Sequence, residues 1–204
     1  MSISTPRPEE FQPFGLPVGS VRGILSLMIC SFFWILLLVP WDTQPLPTAP
    51  LAHFFLLTLV FLAFASHHVQ EVRESALFPW VMRVLFVGGS IAVVIYMAIK
   101  DPTRLGYQLT PSIAELPQWP VLLGCLAGGF GASLFLRSVL GRGNPFFYSI
   151  RAWIGVIAFF LLFAETIFQF AILPKLSDRP SFQAMQIWEG MLIASVAAYF
   201  GSRA

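Results

Sequence analysis

One carboxylate in this chain sits where carboxylates are costly. Glu165 lies in an apolar run from Tyr148 to Pro174. If the run is helical, at about 1.5 Å of rise per residue Glu165 is roughly 20 Å from Arg151 and somewhat over 10 Å from Pro174. Both distances keep it inside a hydrocarbon layer about 30 Å thick, where an ionised carboxylate costs about 2.5–3.5 kcal/mol. Such a group must be protonated, paired or facing water. One chemistry it offers is proton or ion binding, with Gln169 one helical turn away. The other is a neutral hydrogen bond between helices that holds a bundle together. The residue types favour this plainer role, because nothing adjacent in sequence completes a pathway.

Glu189 is the second candidate. A hairpin joining the two acidic segments through Lys175 to Gln183 would bring Glu165 and Glu189 to similar depth. Facing each other, they would form a proton or cation site with split titrations, since like charges in a low-dielectric setting resist joint ionisation. Lys175 or Arg179 could neutralise them instead, and the simpler expectation is that Glu189, beside Trp188, reaches headgroup water. His53 and His67 stand near opposite ends of another apolar run, which resembles the way one cytochrome b helix presents axial ligands to two haems. A second histidine-bearing helix is missing, so interfacial histidines are the better reading and no cofactor is expected. His67, His68 and Glu71 make a poor metal site, because adjacent histidines point to different helix faces. No metal site is expected. Nucleophile–base arrangements, Walker loops, dinucleotide fingerprints, HExxH and paired CxxC motifs are all absent from the sequence, which makes an enzyme the less favoured class.

The elements that must hold these residues follow from composition. Hydrophobic residues make up 57% and charged residues 11% of the 204, against roughly 45–50% and 25% in soluble domains. The chain therefore reads as an all-α integral membrane protein with six transmembrane helices. The expected spans are about 20–39, 51–67, 80–99, 119–140, 148–173 and 184–201. Residues 1–18, with Pro6, Pro8, Pro13 and Pro17, form an extended cytoplasmic tail, and residues 19–204 a single six-helix domain. Pro111 to Leu116 suggests a short interfacial helix. The formal charge of +2 and the lack of a basic cluster exclude nucleic acid as a partner. Cys30 and Cys125 lie in apolar runs and read as small hydrophobes, not as a disulfide.

Packing and orientation signals are superimposed on these spans. Arg151, Gly155, Ala158, Leu162, Glu165 and Gln169 share one helical stripe, as a bundle-facing seam would. Gly124, Gly128 and Ala132 repeat every four residues, as do Gly190, Ala194 and Ala198, and such stripes let a neighbouring backbone approach closely. Odd spans open on Arg22, Arg83 and Arg151, which read as topology anchors, and the even spans close on polar or basic residues. The pattern suggests three repeated helical hairpins, although hydrophobic helices also resemble one another by chance. Arg7, Arg22, Arg73, Arg83, Arg137, Arg142, Arg151 and Arg203 fall on one side, and Lys100, Arg104, Lys175 and Arg179 on the other, which favours cytoplasmic termini. The flanks Gly15 to Arg22 and Tyr199 to Arg203 resemble those of small bacterial membrane proteins, which implies an inner-membrane location and no particular activity.

Two functions fit. The favoured expectation is a structural or accessory subunit of a membrane assembly, a homo-oligomer or a complex with other membrane subunits in the lipid bilayer. The alternative is a small proton or ion transporter or channel using Glu165, with Glu189 as its second carboxylate.

Overall fold

A computed structural model describes residues 20–41, 46–65, 77–141, 144–176 and 181–202. The tail 1–18 and residues His67, His68, Glu71, Arg73, Arg142, Arg179 and Arg203 lie outside them, as does the side chain of Arg83. The described residues form seven helices and no strand: α1 (Ser20–Leu38), α2 (Leu51–Ala65), α3 (Leu77–Lys100), α4 (Pro102–Gln108), α5 (Trp119–Leu140), α6 (Pro145–Ile167) and α7 (Phe182–Gly201). Six of them coincide in position with the six apolar segments. Three stretches, Val21–Leu38, Leu116–Leu140 and Phe146–Lys175, are long and apolar enough to cross a membrane; Leu51–Phe61 and Val84–Lys100 are shorter apolar helices.

Local chemistry sets several boundaries. Asp101 starts α4 by accepting from the Arg104 amide at 2.9 Å and the Thr103 hydroxyl at 2.8 Å, with Pro102 in the first turn, where no N–H is needed. This helix follows from the Asp-Pro-Thr-Arg run and lies in the connection between the third and fourth expected spans. The segment before α5 is a turn and a short 3-10 stretch, Leu116–Gln118, in place of the expected interfacial helix at Pro111 to Leu116. Gly141 ends α5 at φ 77°, a conformation that favours glycine. Asn144 then caps α6 by accepting from the Phe146 amide at 2.9 Å. Ser181 accepts from the Ala184 amide at the start of α7.

α7 is the hub. It packs most extensively on α5, then on α6 and α2, and buries Leu192, Ile193, Val196, Ala197 and Tyr199 among them. A helix enclosed by protein has no need to satisfy lipid, which explains why α7 is less apolar than α5 and α6, whose outer faces expose Phe135, Trp153, Phe160 and Phe163. The α5–α7 crossing is close because Gly129 lies against the backbone of Ala194, with Gly190 beside Cys125 and Gly201 beside Ser133. Cys125, Gly129 and Ser133 therefore make the inward small stripe of α5. Gly124, Gly128 and Ala132 lie on the exposed side, with open space beyond both glycines. On α7, Gly190 and Ala194 face α5, and Ala198 is half-buried.

The other anchors complete the frame. α1 packs on α3, where the Trp34 indole donates to the Ser90 hydroxyl at 3.1 Å. Arg22 lies over the Phe200 ring, with its guanidinium 5.8 Å from the ring centre, and Arg151 lies over Tyr148 at 5.0 Å. Arg104 donates to the Val39 carbonyl at the end of α1, where a cation complements the negative end of the helix dipole.

Candidate functional site

The seam proposed for α6 is buried: Gly155, Ala158, Leu162 and Glu165 all face the bundle. Glu165 is 0% exposed, yet both its oxygens have donors. The Gln169 amide donates to one at 2.8 Å, and the Trp188 indole N–H of α7 donates to the other. The first contact follows from the four-residue spacing on one helix face. The second joins α6 to α7. Its sequence signal is only that Trp188 adjoins Glu189, and indole N–H groups seek an acceptor when buried.

Just beyond Glu165 the helix changes form. Phe168–Ile172 is a π-helical turn, closed by the Leu173 amide on the Phe168 carbonyl, and Leu173–Lys175 tightens to a 3-10 turn. Pro174 accounts for the irregularity: in a continuous α-helix it could not donate to Phe170, and its ring would press on that carbonyl. The widened turn carries Gln169 and turns Phe170 toward Trp41 and Phe32, at ring separations of 5.1 Å and 4.7 Å. His53 stacks on the other partner of this aromatic column, its ring 3.6 Å from that of Phe32. It is buried in α2 against aromatic rings.

Gln169 also lines a cavity of about 770 Å³ at the end of the bundle where the α1–α2, α4–α5 and α6–α7 connections meet. Its polar wall contains Glu115, Gln118 and Glu189. Glu189 is only 3% exposed, so the expectation that it reaches headgroup water is not met, and its Oε2 has no hydrogen-bond partner. Gln118 is also 3% exposed with an unpartnered Oε1. Glu115 accepts from the Leu51 amide at 2.9 Å and so caps α2 from a different connection, as an anion at a helix N-terminus should. Burial holds its carboxyl above the ordinary value of 4.5, opposed by that amide. Glu115 and Glu165 both lie within electrostatic reach of Glu189.

The arrangement separates two carboxylates that look equivalent in sequence. Glu165 is saturated by neutral donors beneath the cavity, whereas Glu189 presents a free acceptor in its wall. Glu115 and Gln118 go unnoticed in the sequence because they sit in a proline-flanked loop with no periodic pattern. Their only local sign is that a Glu and a Gln bracket Leu116-Pro117 directly before an apolar span. Lys175 is exposed at the loop. Among the described residues no set of three His, Cys, Asp or Glu side chains converges to hold a metal ion.

No protein-family model, curated protein or solved structure matches this chain. Its function must be argued from these side chains.

Proposed function

We propose that the chain is a six-span protein of the bacterial inner membrane, with both termini cytoplasmic, that takes up a proton or cation through the acidic cavity. In this reading α1, α2, α3, α5, α6 and α7 cross the bilayer, and the cavity opens on the side away from the termini. The observation that carries it is the unpartnered carboxylate oxygen of Glu189 in the cavity wall. A buried acceptor without a donor is costly, and a proton or cation from the cavity removes that cost. Glu165, one step deeper and reached through Gln169, is the inner acid. Below it the packing is apolar, through Leu162, Ala158 and Ile193, so passage requires α6 to move. The π-helical turn at Phe168–Ile172 supplies a place for that movement, because its backbone pairing is already displaced from the α register.

Proteoliposomes with an entrapped pH dye test this. An imposed gradient should drive flux in the parent chain, and Glu189→Gln and Glu165→Gln should each remove it while leaving the helical content unchanged. Flux equal in all three would exclude both acids from any transport role.

A second reading, a structural or accessory subunit, is favoured by the outward stripe of Gly124, Gly128 and Ala132, which is exposed and has open space beyond both glycines among the described residues. Small residues on an exposed apolar helix face permit close approach of another transmembrane helix. Native mass spectrometry from a mild detergent decides it: an added protein mass, or a homo-oligomer broken by Gly128→Leu, supports this reading, and a monomer throughout removes it.

A further inference from the structure

We infer that the cavity is a binding site for a primary ammonium group carried on an apolar body. This rests on the reading of the cavity as a cation site and adds the chemical class of the occupant. Glu189 Oε2 and Gln118 Oε1 are acceptors without donors, and both side chains are more than nine-tenths buried. What they lack is therefore N–H or O–H, and an ammonium carries three donors on one centre. Glu115, on the same wall, supplies a further carboxylate.

A bare ion fits less well. Among the described residues no three His, Cys, Asp or Glu side chains group as ligands for a metal ion, and a volume of about 770 Å³ falls within the roughly 300–1,000 Å³ of pockets for small organic ligands. Beside the polar Thr48, Thr110, Ser112 and Gln169, the wall carries the apolar surfaces of Tyr107, Leu173 and Phe182, against which an alkyl body can lie. A quaternary ammonium would match the charge but could donate no hydrogen bond to either oxygen. An aromatic cage, the usual device for quaternary groups, would need several rings, and among the described residues the wall carries those of Tyr107 and Phe182. The same primary ammonium chemistry occurs on free alkylamines and on ethanolamine lipid headgroups.

The test uses the full chain in phosphatidylcholine nanodiscs, titrated calorimetrically with hexylammonium, hexyltrimethylammonium or hexanol. Saturable binding of hexylammonium is expected, weaker by about tenfold or more for the trimethyl compound and absent for hexanol. Glu189→Gln and Gln118→Leu should each weaken hexylammonium binding by about tenfold, and if one variant fails to fold the other carries the test. Nanodiscs containing phosphatidylethanolamine separate the sources: competition with hexylammonium assigns the site to the lipid headgroup, and none assigns it to free amines. Absence of saturable hexylammonium binding, equal binding of the trimethyl compound, or binding indifferent to every folded variant overturns the inference. Proton flux that depends on Glu189 without amine binding defeats the amine site alone. Amine binding without flux defeats transport and leaves the site standing.

Discussion

Replacing Gly129 by alanine should loosen the α5–α7 crossing, and the same change at Gly128 should not. A Cβ on Gly129 would stand 2.9 Å from both the Cα and the carbonyl carbon of Ala194, and nearer still to its oxygen, where ordinary contact is 3.4–4 Å. The obstacle is helix backbone, so no side-chain end can swing away. The helices must part by at least about 0.5 Å, and a gap of that size forfeits about a quarter or more of the attraction of each contact it opens. Overpacking of this kind typically costs about 1–3 kcal/mol, and a backbone obstacle places Gly129→Ala in the upper half of that range. For a chain of 204 residues this corresponds to a fall in Tm of about 4–12 °C. Gly128→Ala adds a methyl where nothing lies within 4 Å, and alanine's better helix propensity offsets any small loss, leaving stability within about 0.5 kcal/mol. Thermal unfolding of the two variants in one detergent, followed by circular dichroism, measures both. A larger loss at Gly128 than at Gly129 would mean that α5 presents a face rotated by about 100° from the one described, and the packing argument would fail.

Two further outcomes concern the site. Trp188→Phe keeps the ring but removes the donor to Glu165, so it should cost about 1–3 kcal/mol; an unchanged Tm would mean the indole bond contributes nothing to stability. Glu115 binds its proton more tightly in the folded chain, because burial holds its carboxyl above 4.5. Its contribution to stability is therefore complete below pH 4.5 and is lost as pH rises through the raised value. Glu165 and Glu189 are carboxyls that share this end of the bundle with it. Glu115→Gln leaves them in place, so it should flatten only the Glu115 part of the Tm-against-pH curve; superimposable curves would show that the carboxyl titrates as if exposed.

The sequence makes the helices legible because apolar runs bounded by proline and glycine leave little else for the backbone to do. It also makes the Glu165–Gln169 pair legible, since a four-residue spacing is a local property. The α5 face is harder. Gly128 and Gly129 are neighbours, so two small-residue stripes run side by side, and periodicity cannot choose between Gly124–Gly128–Ala132 and Cys125–Gly129–Ser133. The choice is made by α7, which is distant in sequence. The cavity is harder still. Glu115 and Gln118 gain their meaning from Leu51 and Glu189, and three separate connections must come together before any of them is a neighbour. The π-helical turn was implied by Pro174, but a proline near a helix end reads equally well as a simple stop.

The central position of α7 has a consequence for synthesis. Every helix it packs on precedes it in the chain, so α2, α5 and α6 emerge from the ribosome before the helix that joins them. Until α7 arrives, the face of α5 at Gly129 and the Glu165 oxygen that Trp188 will hold both lack the partner they have in the folded chain. The α5–α7 contact, the most extensive in the bundle, is thus a late event that waits on the docking of one helix. A chain cut just before Phe182 would keep the helices that precede it and their contacts with α1, but would lack the most extensive packing in the bundle.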